Sequence, residues 1–554
     1  MNRNPLPADA PAPASLGAPQ NTPLPGQAPW QGWTPPPAAK PRLPVEAAPL
    51  DGGAALLALL AGWLFLRLVT TPRPGLGVTL YTLGFALWVL AYRRLSGLPI
   101  PRESLPWLGV MLLSALNFSL VDNGPLAFLN ILFLIIVTAY WVGALGGSRL
   151  ENRLGPWVLA DLRNQLFIIP FQNFGCLGAA VKNSFAKTKG GKGLLTVALS
   201  LVLSAPLAWY VCLELSRVEE GFAGLLGQLE ALVRWESLLS PSTILAVPVG
   251  CYLFGLIYGN QHRRYTHELT PEKLAARAAR RRVLPAAAAY TLLTLLCLIY
   301  ALFFLSGAVS LAGFLSTRGL TPYDYSQFAR QGFFELCRVS VVNLLVLWGI
   351  HLFLAPSSQR SPAPLRVFHT LLCCQTLLLI GLAVCKMGLY IRFCGVTWLR
   401  VCTTWFMVLL AVVFGLVLLS QFRKIPLARW IAGSFCALFL LLCYLDVNGL
   451  IVRSAIARYE SSGDPAAITG SYEELRSCAV AGAPELRLLY LREIADGNSQ
   501  LLPQLEGLLG AAAQDVEAWD GLSHWGLQRS LAAEASQGFL PKPALPEKPP
   551  MDLN

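Results

Sequence analysis

Five ionisable side chains lie within strongly apolar runs or at their ends: Glu335, Arg338, Lys386, Arg400 and Asp446. A charge held in hydrocarbon costs at least about 2.5 kcal/mol, so each of them needs a partner or a task. Glu335 and Arg338 are three residues apart and share a helix face. With the alternating topology set out below, all five fall near the outer leaflet. Three bases against two acids leave a positive surplus, which points to a shallow outward-facing pocket for an anionic group such as a lipid phosphate or a carboxylate. The competing reading is mutual pairing, with Lys386 and Arg400 snorkelling to the interface. Asn343, Gln375 and His351 belong to the same stretch, and single polar residues in spans more often bond a neighbouring helix than a substrate.

Other chemistry is hard to place. The segment KTKGGKG has Ala186 where a phosphate loop needs its first glycine and Gly193 where it needs Ser or Thr, so no nucleotide site is expected. There is no nucleophile elbow, kinase motif set or dinucleotide fingerprint. The five histidines are scattered and the 13 cysteines form no CxxC pair, lying mostly inside apolar runs as small hydrophobes. No cofactor and no metal are expected. Enzymatic action on a lipid-linked substrate would need a nucleophile beside an acid or base, and Glu335 alone does not supply it.

The elements that carry these residues follow from composition. Of 554 residues 55% are hydrophobic and only 13% charged, too few charges to coat a soluble chain of this length. The apolar residues come in runs of about 20, enough to cross about 30 Å of hydrocarbon as helices. Spans are expected near 52–70, 75–92, 105–120, 125–145, 194–213, 239–258, 284–306, 333–355, 367–390, 396–420 and 428–445. The expected fold is therefore an all-α, polytopic bundle of about 11 spans. Residues 1–50 hold 14 of the 40 prolines and read as a disordered tail. The first span reads as an anchor and not a cleaved leader.

Basic residues mark the cytoplasmic loops. Arg93, Arg94 and Arg102, then Arg149, Arg153 and Arg163, then Arg263 to Arg282, then Arg423, Lys424 and Arg429 fall on one side. This places the amino terminus in the cytoplasm and the carboxy terminus outside a plasma or inner membrane. Residues 155–185 mix aromatic and basic side chains as a headgroup-layer helix or a short re-entrant segment would. Thr270, Pro271 and Glu272 open a basic surface helix. Beyond 445 the acids outnumber the bases. Residues 446–540 read as a small extracytoplasmic helical domain, with a capping box from Ser471 to Glu474 and a helix restarting at Pro484. Residues 541–554 read as a loose tail.

Three segments carry a family likeness: YDYSQFARQGFFELCRVSVVNLLVL from Tyr323, YIRFCGVTWLRVCTTWFMVLL from Tyr390 and DVNGLIVRSAIARY from Asp446. In that order they resemble a bacterial family of multi-pass membrane proteins, the domain of unknown function four-one-seven-three and its close relatives. The resemblance implies a membrane protein without an assigned activity, and it supplies no catalytic residues. The expected function is a non-enzymatic envelope or signalling component whose outer domain engages a protein partner. The alternatives are a transporter or lipid-handling protein using the outer polar cluster, and the enzyme weighed above. Membrane lipids are expected partners, and nucleic acid is not.

Overall fold

The computed structural model describes residues 48–122, 124–151, 153–187, 211, 215, 241–266, 270–316, 333–355, 362–518, 521 and 523–539. The expected span 194–213 falls almost wholly outside them. The described chain is helical throughout, relieved only by one isolated backbone bridge between Leu284 and Leu354.

The first bundle consists of α1 (Pro49–Leu68), α2 (Leu76–Leu95), α3 (Leu105–Leu120) and α4 (Gly124–Gly146), then the short α5 (Val158–Arg163), α6 (Ile169–Gln172) and α7 (Cys176–Lys187), and α8 (Pro241–Gln261). A surface helix α9 (Pro271–Arg280) leads to the second bundle of α10 (Ala286–Ser316), α11 (Phe333–Phe353), α12 (Pro362–Cys394) and α13 (Trp398–Phe422). Next, α14 (Leu427–Tyr444) returns to pack on the first bundle. The remaining helices form the carboxy-terminal domain: α15 (Val447–Ser462), α16 (Ala466–Thr469), α17 (Tyr472–Ser477), α18 (Ala479–Ala495), α19 (Leu502–Ala518) and α20 (Leu527–Ala535).

Among the described residues nine helices are long and apolar enough to cross a membrane. Helix α3 has 16 residues, just under the 17 or so a span needs, and packs between α2 and α4. The outer faces confirm the solvent: Leu87, Phe128, Leu298, Leu378 and Leu441 are all exposed. So large an apolar surface is stable only in lipid.

Without a hydrophobic driving force in lipid, helices associate through small residues and buried polar bonds. Helices α1 and α8 meet closely through Ala58 and Gly62 against Ala246 and Gly250. In the second bundle Tyr300 donates to Asn343 (2.6 Å), Asn343 to Thr376 (2.9 Å) and Gln375 to the Cys297 carbonyl (3.0 Å). Asn343 and Gln375 thus bond neighbouring helices, as the sequence suggested.

The carboxy-terminal domain grips the α1–α2 and α3–α4 connections. Leu76 N donates to the Trp525 carbonyl (2.8 Å) and Gly77 N to that of Ser523 (2.9 Å). Arg73 pairs with Asp515 (2.9 Å), and Arg529 with Asp122 (3.2 Å). Two local expectations are corrected here. Ser471 does begin α17, but its side chain makes no cap bond; Glu474 is drawn instead to the Trp398 backbone and to Arg400 and Arg458. Pro484 does not restart a helix but lies inside α18, which begins at Ala479.

Candidate functional site

The five sequence candidates do not gather into one cluster. Glu335 and Arg338 pair with each other (2.9 Å) on the surface of α11, both well exposed. Lys386 is half-buried within α12. Asp446 is the N-cap of α15 in the left-handed region (φ 50°), accepting from Gly449 N (3.0 Å) and pairing with Arg453 (2.9 Å). Arg400 donates to the carbonyls of Cys394 and Gly395 and lies over the Tyr390 ring (4.2 Å). Only its neighbourhood is polar in the expected sense, and through Arg458 and Glu474, neither of them among the five site candidates. Burial pushes the Glu474 carboxyl up, and the two arginines oppose that rise. These bonds are local: Glu335 and Arg338 pair with each other, Asp446 caps α15 and pairs with Arg453, and Arg400 bonds the free carbonyls at the end of α12.

The more organised site lies in the first bundle. At the end of the bundle opposite the carboxy-terminal domain, Asp51 accepts from Tyr92 Oη (2.6 Å) and from Ala48 N (2.7 Å), with His262 Nε2 3.6 Å away. The His262 ring packs on Tyr258 at 4.3 Å. Beside them Ser148 bonds Asn260, Gln165 donates to Ser148 (2.9 Å), and Asn260 donates to Gln165 (2.9 Å). Arg264 donates to Asn173 (2.9 Å). Arg263 and Tyr265 hold φ of 48° and 58°, a strained conformation for residues with a Cβ that persists only where the surroundings impose it.

These bonds pin a broken helix. Between α5 and α6 the chain forms a π-helical turn, Asn164–Ile168, and Pro170 follows. The turn releases the Leu166 carbonyl to accept from Tyr252 (2.9 Å). The segment lies so close to α8 that a Cβ on Gly255 would stand 2.5 Å from the Pro170 carbonyl, and one on Gly259 2.6 Å from Asn173.

Above this floor is a cavity of about 450 Å³ between α1, α2, α4 and α8. Six rings line it: Phe65, Tyr81, Phe85, Phe171, Phe174 and Tyr252. The polar groups on its wall are occupied, Thr82 with the Val78 carbonyl, Thr138 with that of Leu134 and Tyr252 as above. The exception is the Tyr81 hydroxyl, which is buried and has no hydrogen-bond partner among the described residues. Two sequence features mark this site, though neither was read as a hint of it above: Pro248 inside an apolar run, and the cluster Asn164, Gln165, Pro170 and Asn173. Asp51 and His262 gave none, because polar residues at span ends are ordinary.

One group here sets a pH dependence. Asp161 on α5 is buried, and burial pushes its carboxyl up to about 6, against the pull of the Leu150 N–H (2.8 Å) and Arg149. Between about pH 4 and 6 the folded chain therefore binds more protons at this position than the unfolded chain, and stability falls as pH rises through that window, by on the order of 3 kcal/mol. The apparent melting temperature of the detergent-purified protein should decline from pH 4 to 6, and Asp161→Asn should flatten that decline. Equal slopes in the two proteins would remove Asp161 as its cause.

A family model described as a domain of unknown function (DUF4153) matches residues 108–486, more than half of the chain, which therefore belongs to that family. The expected membership of an uncharacterised family thus holds, though the serial number differs from that of the family first resembled. No curated protein and no solved structure matches.

Proposed function

We propose that this DUF4153 member is a non-enzymatic, lipid-handling membrane protein that holds a long-chain, lipid-derived molecule in the aromatic cavity of its first bundle. The observation that carries the reading is the unpaired Tyr81 hydroxyl among six rings. A buried hydroxyl without a partner costs about 1–3 kcal/mol, and a ligand with one oxygen on an apolar chain would relieve that cost once the Tyr81 side chain turns its hydroxyl into the cavity. The cavity size is in the range of small-molecule sites. On this reading lipid handling belongs to the first bundle and not to the outer cluster around Arg400.

The test uses a fatty acid carrying a photoactivatable diazirine. Label should appear in peptides containing Tyr81 or Phe171. Val249→Trp, which fills the cavity wall, should abolish it, and Tyr81→Phe should weaken binding roughly 5- to 10-fold, the worth of about one hydrogen bond. Labelling indifferent to Val249→Trp would end this reading.

A second reading, an envelope or signalling role through a protein partner, is favoured by Leu488 and Leu491. They lie one turn apart on α18 and are 65% and 49% exposed. Both readings take the basic connections as cytoplasmic and the carboxy-terminal domain as outside a plasma or inner membrane. The domain grips the end of the first bundle opposite Arg93, Arg149 and Arg264, which supports that sidedness. A reporter phosphatase fused after Asn554 should be active outside the cytoplasm, and activity confined to the cytoplasm would reverse the topology.

A further inference from the structure

Where α4 faces α13 and α14, an almost wholly apolar crevice of about 510 Å³ runs from Leu126 and Leu442 at one end to Tyr140 and Ala432 at the other. The two ends are ordered by packing. Leu126 and Leu442 belong to the core shared with the carboxy-terminal domain, and Phe133 meets Phe439 (4.7 Å) in between. The fifteen residues from Leu126 to Tyr140 cover about 21 Å of helix, more than the roughly 15 Å of one hydrocarbon leaflet. The crevice is long enough for one acyl chain.

Its far end is basic. Arg149 lies over the Tyr140 ring (5.7 Å). Leu154, Val158 and Leu162 close that end, and the adjoining Arg153 and Arg163 are exposed. From the other wall, Arg429 precedes Ala432 and Cys436 by three and seven residues, so all three share the crevice face of α14. Exposed Arg423 and Lys424 stand in the adjoining turn. Among the described residues none of Arg153, Arg163, Arg423, Lys424 and Arg429 has an ion-pair partner. The acids nearby are Glu151 and the buried Asp161, against six cations across 149–163 and 423–429. Exposed Phe422 and Trp430 flank the turn, as aromatic side chains do at headgroup depth.

We propose that this crevice holds one acyl chain of an anionic glycerophospholipid whose phosphate is met by Arg153, Arg163 and Arg429. An apolar slot alone would fill with any lipid. The unpaired cations at one end give preference for a negative headgroup, because arginine forks bind phosphate oxygens in pairs. This site is separate from the aromatic cavity and goes beyond the function proposed there.

The experiment reconstitutes the full chain in nanodiscs of equal parts phosphatidylglycerol and phosphatidylcholine, releases it into mild detergent and counts retained lipids by native mass spectrometry. Phosphatidylglycerol should be retained at least 10-fold over phosphatidylcholine. Arg153→Gln, Arg163→Gln and Arg429→Gln together should erase the preference while the circular dichroism spectrum stays unchanged. Ala432→Phe, which narrows the slot and keeps the cations, should lower retention several-fold. Equal retention of the two lipids by the unaltered protein, or a preference that survives the triple substitution, overturns the proposal. Tyr81→Phe serves as the control and should leave this preference intact.

Discussion

Replacing Gly62 by alanine should lower the stability of the protein by about 2–3 kcal/mol, the cost of overpacking a close contact that cannot relax. The added Cβ would stand 2.6 Å from both the Ala246 carbonyl and the Gly250 nitrogen. Both are backbone atoms of α8, so no side chain can swing aside, and α1 and α8 must separate. That separation also acts on the cavity, because Phe65 lines it from α1 and Pro248 and Tyr252 from α8. The same substitution at Gly84, where nothing lies within 4 Å of an added Cβ, should be neutral or favourable by up to about 1 kcal/mol through helix propensity. The comparison is made by thermal denaturation in detergent, with labelling by the photoactivatable fatty acid as the second readout. If Gly62→Ala and Gly84→Ala melted at the same temperature, the α1–α8 contact would not be as tight as the geometry requires.

Asp122→Ala is the second large effect, and it acts on a different junction. Asp122 and Arg529 form an ion pair with both side chains 11% exposed, joining the α3–α4 connection to α20. Removing one partner of a buried pair leaves the other charge desolvated and costs about 3–5 kcal/mol. Arg529 keeps one bond, to the His524 carbonyl, which places the expected loss near the lower figure. Other links, among them Arg73 with Asp515, Asn448 with the Asp122 carbonyl (2.7 Å) and the Leu76 and Gly77 nitrogens with Trp525 and Ser523, share the strain. The carboxy-terminal domain should loosen before the bundle does. Limited proteolysis should cut between α14 and α20 faster in Asp122→Ala than in the unaltered protein, with the bundle fragment surviving. Unchanged digestion would show that the domain is held by its apolar contacts alone.

Both effects depend on junctions that sequence patterning does not specify. The apolar runs of 20 or so residues determined that the chain is an all-helical membrane protein, because a backbone in lipid must satisfy its own hydrogen bonds. Helix starts were legible where chemistry is local: Thr270 accepts from Lys273 N as its place before Pro271 and Glu272 implied. Local reasoning failed where tertiary partners compete for the same atoms. Glu474 serves Trp398 and the arginines in place of a capping box, and α18 runs through Pro484. For the polar cluster, depth in the membrane was the only coordinate available from sequence. Depth alone does not say which residues meet: Glu335 pairs with Arg338, Arg400 bonds the Cys394 carbonyl and Asp446 pairs with Arg453.

What the chain determined by itself is which segments prefer lipid to water, a property summed over each segment without reference to the others. Which helices touch was decided only on folding. The apposition of Gly62 and Gly250 and the Asn260–Gln165–Ser148 bonds join residues up to about two hundred positions apart. Lipid solvates every apolar face alike, so contact in a bilayer is selected by shape and by a few buried polar bonds. Those become visible only when the helices stand side by side.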